Sequence, residues 1–243
     1  MKGLFSGNQL KVLAALLMVV DHVGVMLFPS VNVLRYIGRL SMPIFAFMIA
    51  EGCRYTKNKT KYFALIFALA VACQVAYAIF NPNDLYFSIL ITFSLSILAI
   101  FSLDHLKKCF FEKGKGWQEK TISTITFCLV IVGISLFNKF YKVDYGFWGC
   151  MLPAFASLLD FRKIDNDRLK KLDDLFYRKL CFAVGLIVLV FTSESLSLSI
   201  YALLSLPILF LYSGERGKLK MKYFFYIFYP LHLVVLEGIR VLL

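Results

Sequence analysis

Residues 10–28 read LKVLAALLMVVDHVGVMLF, an apolar run broken by three ionisable side chains, Lys11, Asp21 and His22. A bilayer core needs about 20 helical residues to cross it and tolerates about 17, so this run has the length of a membrane span. Eight further runs follow at approximately 34–53, 62–80, 85–103, 121–137, 145–161, 177–193, 196–212 and 223–242. Each has to be a helix if it crosses lipid, because the backbone there must satisfy its own hydrogen bonds; runs of this length lack the dyad pattern of a barrel strand. The reading is an all-α integral membrane protein with about nine spans, forming a single multi-pass domain over residues 1–243.

Composition agrees: the chain is 60% hydrophobic and 17% charged, with a mean hydropathy of +0.74. Its formal net charge of +12 would suit nucleic acid if the basic residues made one folded patch. They alternate instead. With odd-numbered spans running outward, all of the 27 Lys and Arg except Arg35, Arg39, Lys139, Lys142 and Arg240 fall on one side. The positive-inside rule then places the N-terminus in the cytoplasm and the C-terminus outside, with no nucleic-acid partner and the lipid bilayer as the surroundings. Lys2 and the first run resemble a signal peptide, but no small-residue cleavage site follows Phe28, so the run is expected to be a retained helix. The six cysteines are scattered without CxxC spacing, which suggests neither a disulfide framework nor a zinc site, and no metal is expected.

Ionisable groups at membrane depth cost at least about 2.5 to 3.5 kcal/mol near mid-bilayer and usually face a cavity or a partner. Lys11 and His22 are separated by three helical turns plus about 20°, so they share a face about 16 Å apart, Lys11 at the cytoplasmic mouth. Counting rise per residue puts Glu51 level with Lys11, Arg39 within side-chain reach of the level of Asp21, and His232 within about one turn of His22. Asp21 points about 100° away from His22 and is expected to pair with Arg39 or another helix. A neutral His22 near mid-membrane suits proton acceptance from an amine or hydroxyl. Each has a plainer reading: Arg39 and Asp21 as an ion pair joining two helices, Lys11 as an anchor salt-bridged to Glu51, the two histidines as interhelical hydrogen bonds, and Tyr145 and Trp148 as interface anchors. Asp104-His105, the same dipeptide at the end of the fourth run, is expected to be solvated.

Four stretches, LKVLAALLMVVDHVG, IGRLSMPIFAFMIAEG, DYGFWG and KYFFYIFYPLHLVVL, resemble the TraX family of bacterial membrane acetyltransferases, which N-acetylate conjugative pilin. The resemblance covers nearly the whole chain in order. Its most specific pieces are Asp21-His22-x-Gly24, Gly38-Arg39 with Pro43, Glu51-Gly52, Tyr145-Gly146 and Tyr229-Pro230-x-His232. Lys11 and His22 also resemble the basic-x10-His motif of the acyltransferase-three family. The fourth run departs from the pattern, with Ser88-Ile89-Leu90-Ile91-Thr92 in place of Asn-Ile-x-x-Thr and Ser96 in place of Gly.

The resemblance implies an acetyl-CoA-dependent acyltransferase of the bacterial inner membrane. His22, Asp21, Arg39 and His232 would be its catalytic group, and Lys11, Glu51 and Tyr229 would serve the donor. The acceptor would be a pilin-like peptide N-terminus or a glycan, reached from outside or from the bilayer. The competing expectations are a proton-coupled transporter or flippase using the same buried groups, and a non-catalytic assembly subunit.

Overall fold

The computed structural model describes residues 3–80, 86–218 and 222–242. Lys2, Lys220 and residue 85, the expected start of the fourth run, lie outside the described residues. In chain order the elements are α1 (Gly7–Met26), α2 (Asn32–Gly38), α3 (Ser41–Tyr55), α4 (Lys59–Phe80), β1 (Tyr86–Phe87), α5 (Ile89–Phe111), α6 (Trp117–Phe140), β2 (Lys142–Val143), α7 (Gly146–Ser157), α8 (Asp167–Lys170), α9 (Leu175–Phe191), α10 (Leu196–Ser199), a 3₁₀ turn (Ile200–Leu204), α11 (Ser205–Phe210) and α12 (Lys222–Leu242).

Five helices among the described residues are long and apolar enough to cross a membrane, and they match the first five runs: Gly7–Met26, Asn32–Tyr55, Lys59–Ile79, Ile89–Phe111 and Trp117–Phe140. The other four runs are helical too, and the sixth and eighth fall short of the expected spans. The sixth yields only the 12 residues of α7, about 18 Å of helix against a core of about 30 Å. The seventh gives the 17 residues of α9, the eighth a composite apolar helix over Leu196–Phe210, and the ninth the 21 residues of α12. Hydropathy counts apolar residues whether they meet lipid or protein, which is why short buried helices read as spans.

The second span is broken into α2 and α3 at Arg39 and Leu40. Pro43 accounts for the break, since it has no N–H to give the carbonyl of Arg39 and its ring would clash there in a continuous helix. Placed in the first turn of α3, where N–H groups lack intrahelical partners in any case, it costs little.

The chain forms two compact units, one built from residues up to Met48 and from Val190 onward, the other from Ile49–Leu189. In the first, α1 is capped by Ser6 and Gln9, whose side chains bond each other's backbone N–H. Phe5 pairs with the strand-like segment at Tyr212: its N–H donates to Leu211 O at 3.0 Å and its carbonyl accepts from Ser213 N at 2.9 Å. Ser41 Oγ donates to Ala14 O at 2.7 Å, tying α3 to α1.

In the second unit α5 is central and packs against α4, α6 and α7. Its buried hydroxyls are satisfied without leaving the helix or its neighbours: Ser94 donates to Leu90 O, Ser96 to Thr92 O and Ser102 to Ala99 O. Thr92 reaches across to Asp144 O at 2.7 Å. That bond and the parallel β1–β2 pair hold the turn that starts α7, where Tyr145 adopts φ 60°. A Cβ at Gly149 would collide with the Tyr145 side chain, so the Tyr145-Gly146 and Gly149 of the DYGFWG stretch serve one strained turn. Trp148 packs on the core of this unit beside Phe147, so its environment is protein rather than that of a lone interface anchor.

Candidate functional site

Two imidazoles meet in the first unit. His22 on α1 and His232 on α12 have ring centroids 5.0 Å apart, with His232 Nε2 at 3.4 Å from His22 Nδ1. Backbone carbonyls determine the proton positions. His22 Nδ1 is 2.8 Å from Met18 O and His232 Nδ1 is 3.1 Å from Phe228 O; a carbonyl only accepts, so each Nδ1 carries the proton. In the neutral rings each Nε2 then holds a lone pair. His232 Nε2 accepts from His22 Nδ1–H, which is shared with Met18 O, and the Nε2 of His22 is left as the basic nitrogen. His232 is buried, stacked on Phe228 and met edge-on by Tyr229. Depth counting places His232 within about one turn of His22; the structure puts the two rings in contact.

One turn away is a charge cluster. Asp21 Oδ2 is 2.7 Å from Arg35 Nη1, and Asp21 Oδ1 is 3.6 Å from Arg39 Nη2. The expected Arg39 partner is therefore present, but Arg35 is the closer one, and sequence reading had left it as an outer-side positive charge. Its signal was the spacing Arg35-x-x-x-Arg39, which places both guanidiniums on one face of a helical turn. Two glycines let α2 approach α1 this closely. A Cβ at Gly38 would overlap the Asp21 side chain, and one at Gly24 would lie 2.8 Å from Leu34 Cβ. The Gly38-Arg39 and Asp21-His22-x-Gly24 pieces thus form a single packed contact.

Beside this cluster a cavity of about 480 Å³ is lined by Gly24, Val25, Asn32, Arg35, Tyr36, Ser195 and Ser197, among others. Tyr36 stacks on Tyr201 with ring centroids 4.2 Å apart.

Of the donor-side residues, Lys11 sits half-buried on α1 and Tyr229 packs against His232. In the second unit Glu51 Oε1 is 2.6 Å from Arg178 Nη2, and both side chains are buried. Arg178 is 2% exposed and also donates from Nε to Ala156 O at 3.1 Å. Arg54 pairs with Asp160 and Asp173, and Lys107 Nζ donates to Ser157 O at 2.6 Å and Asp160 O at 2.9 Å.

The second unit holds its own cavity, about 180 Å³, lined by Lys59, Asp104, His105, Lys107, Lys108 and Lys163 among others. Asp104 is therefore not simply solvated as expected; it is paired with Lys59 at 3.4 Å and with Lys107 at 3.5 Å, while His105 is exposed.

The family described as TraX protein matches residues 6–240. The chain is 28% identical over 264 residues to the probable fimbrial assembly protein FimC, serogroup H1, of Dichelobacter nodosus, covering 98% of this chain and 97% of that protein. It is 32% identical over 140 residues to the uncharacterized protein RP591 of Rickettsia prowazekii (strain Madrid E), covering 57% of this chain and 50% of that protein. No solved structure matches.

Proposed function

The chain belongs to the TraX family, and on that premise we propose that it is a membrane-embedded acetyltransferase that moves an acetyl group from acetyl-CoA to an amine of a pilin-like polypeptide. Support for a pilus-related acceptor comes from the name of the fimbrial assembly relative, which aligns over nearly its full length. The observation that carries the chemistry is the tautomer of His22: both of its hydrogen bonds use Nδ1, so Nε2 is the nitrogen available as a base.

In this reading His22 Nε2 takes a proton from the acceptor nitrogen as that nitrogen attacks the thioester carbonyl. The new C–N bond forms, the C–S bond breaks, and the imidazolium returns the proton to the departing thiolate. The carbonyl of Met18 fixes the ring, and His232 and Met18 together hold the Nδ1 proton in place while charge develops. Arg39, drawn toward Asp21 but further from it than Arg35, is a positive group for the oxyanion. Lys11 offers charge to the phosphates of CoA.

The test is acetyl transfer from radiolabelled acetyl-CoA to a peptide with a free N-terminal amine, using the full chain in liposomes. His22→Ala is expected to lower turnover by about 10² to 10⁴. Undiminished turnover in that variant would sink the mechanism, and a wild-type chain that moves a substrate across the bilayer without consuming acetyl-CoA would point to the transporter reading.

A further inference from the structure

We propose that the cavity where α4 begins and α5 ends holds the phosphate of an anionic phospholipid headgroup, with the acyl chains of that lipid lying along α4. The site belongs to the second unit alone and is independent of the acetyltransferase reading.

Charge at the cavity is the first argument. Its wall brings together Lys59 from the start of α4, Lys107 and Lys108 from the last turns of α5, and Lys163 from the segment after α7. Two carboxylates share the wall, and both are engaged. Asp104 pairs with Lys59 and Lys107, while Asp160 turns to Arg54 and accepts the N–H of Arg162 at 3.3 Å. Lys107 is committed to the fold, because its buried Nζ donates to Ser157 O and Asp160 O and so holds the end of α7. The other three ammonium groups keep donors for a ligand. Lys163 gives one N–H to Cys53 O at 3.1 Å, Lys59 meets Asp104 at 3.4 Å, and Lys108 has Glu112, at 3.9 Å, as its ionic partner among the described residues. An ammonium carries three donors, so a phosphate seated among these lysines can be bonded from three separate segments of the chain.

Size and setting are the second. The volume of about 180 Å³ is below the roughly 300 Å³ at which sites for whole small molecules begin, so the cavity takes a charged end group and the rest of the ligand lies outside it. Beside it, α4 carries Phe63, Phe67 and Val71 at four-residue steps from Lys59. Phe63 and Phe67 stack with ring centroids 5.5 Å apart, and Phe67 and Val71 are exposed. From Lys59 to Val71 the helix rises about 18 Å, a little over one leaflet of a hydrocarbon core about 30 Å thick. A phosphate-sized pocket that continues into an apolar ridge one leaflet long matches a phospholipid, and basic pockets between membrane helices recur as seats for anionic headgroups. A soluble phosphate compound would leave the ridge unused.

The full chain in detergent is titrated with phosphatidylglycerol and with phosphatidylcholine and read by native mass spectrometry. A phosphatidylglycerol with a diazirine in its headgroup is photo-crosslinked and mapped, with inorganic phosphate and adenosine 3′,5′-bisphosphate as soluble competitors. We expect phosphatidylglycerol to bind about tenfold or more tighter than phosphatidylcholine, with headgroup crosslinks within residues 59–63, 104–108 or 160–164. Lys59→Gln with Lys163→Gln should lower that affinity by about tenfold or more, and Lys59→Arg with Lys163→Arg by less than about threefold. Lys57→Gln with Lys113→Gln removes equal charge outside the cavity and should change affinity by less than about twofold. Equal binding of the two lipids, equal losses in the cavity and control variants, or crosslinks confined elsewhere would overturn the proposal. The crosslink map of the wild-type chain decides it even where the glutamine variant does not fold. Displacement of the headgroup crosslinks by either soluble competitor at the concentration of the lipid would overturn lipid as the source and assign the cavity to a soluble phosphate.

Discussion

His232 Nε2 lies 3.4 Å from His22 Nδ1, so the ring on the last helix accepts a share of the proton that His22 Nδ1 also gives to Met18 O. In the proposed mechanism this makes His232 a positioning residue, whose loss should lower kcat rather than weaken binding. His232→Leu is expected to reduce kcat about tenfold or more with the KM for acetyl-CoA changed less than twofold. His232→Gln, which restores an acceptor oxygen, should recover part of that loss. Equal defects in the two variants, or a rise in KM alone, would remove the positioning role.

The charge cluster makes a graded prediction. Arg35 is the nearer partner of Asp21, at 2.7 Å against 3.6 Å for Arg39. Arg35→Ala should therefore destabilise the protein more than Arg39→Ala, by about 1 to 3 kcal/mol, since it removes the hydrogen-bonded partner of a largely enclosed carboxylate. If Arg39 also serves the reacting oxyanion, Arg39→Ala should show the greater loss of kcat. Thermal melting in detergent and steady-state kinetics on the same preparations separate the two roles, and an inverted ranking in either assay would count against them.

Gly38 is the point where α2 meets the Asp21 side chain. Gly38→Ala is expected to abolish or sharply reduce folded protein, because the added carbon overlaps a side chain fixed by two arginines. Gly133 on α6 has no neighbour within 4 Å of an added Cβ. Gly133→Ala should be neutral or stabilising by up to about 1 kcal/mol, as for an unencumbered helical glycine. Similar yields and melting curves for the two variants would refute the close-contact role of Gly38.

Glu51, expected from the resemblance to serve the donor, contacts Arg178 in the second unit. Truncation to Glu51→Ala should cost about 3 to 5 kcal/mol by leaving a guanidinium enclosed and uncompensated. The pair replacement Glu51→Leu with Arg178→Met should regain most of that stability. A double variant that is stable yet has a strongly raised KM for acetyl-CoA would return Glu51 to the donor site.

The helical segments were legible because apolar runs of span length are a one-dimensional property, and so was the relation of His22 to His232, since rise per residue gives depth directly. Depth says nothing about azimuth. That is why the Arg178 partner of Glu51 is not legible in the sequence, and why Arg39 is while Arg35, closer to Asp21, is not. The buried cations were the least legible. Arg178, Arg54 and Lys107 count as cytoplasmic charges in an orientation rule, yet each is bonded to carboxylates or carbonyls inside the second unit. The shortness of α7 was equally hidden, since an apolar residue reads the same against protein as against lipid.

The interruption between α2 and α3 carries a consequence for solvent. Arg39 and Leu40 lie inside a stretch, Asn32–Tyr55, that is long and apolar enough to cross the bilayer, and irregular backbone at such depth is tolerated only inside protein or along a wet cavity. Arg39 N–H still bonds Arg35 O, but the turn ends the regular ladder beside the cavity that Arg35 lines. Deuterium should therefore enter the amides at 40–42 well before those in the middle of α1 or α5, marking an isotopic window at this break. Under the proposed acetyltransferase reading, water admitted there would act as a competing nucleophile, so slow hydrolysis of acetyl donor in the absence of acceptor is the expected leak.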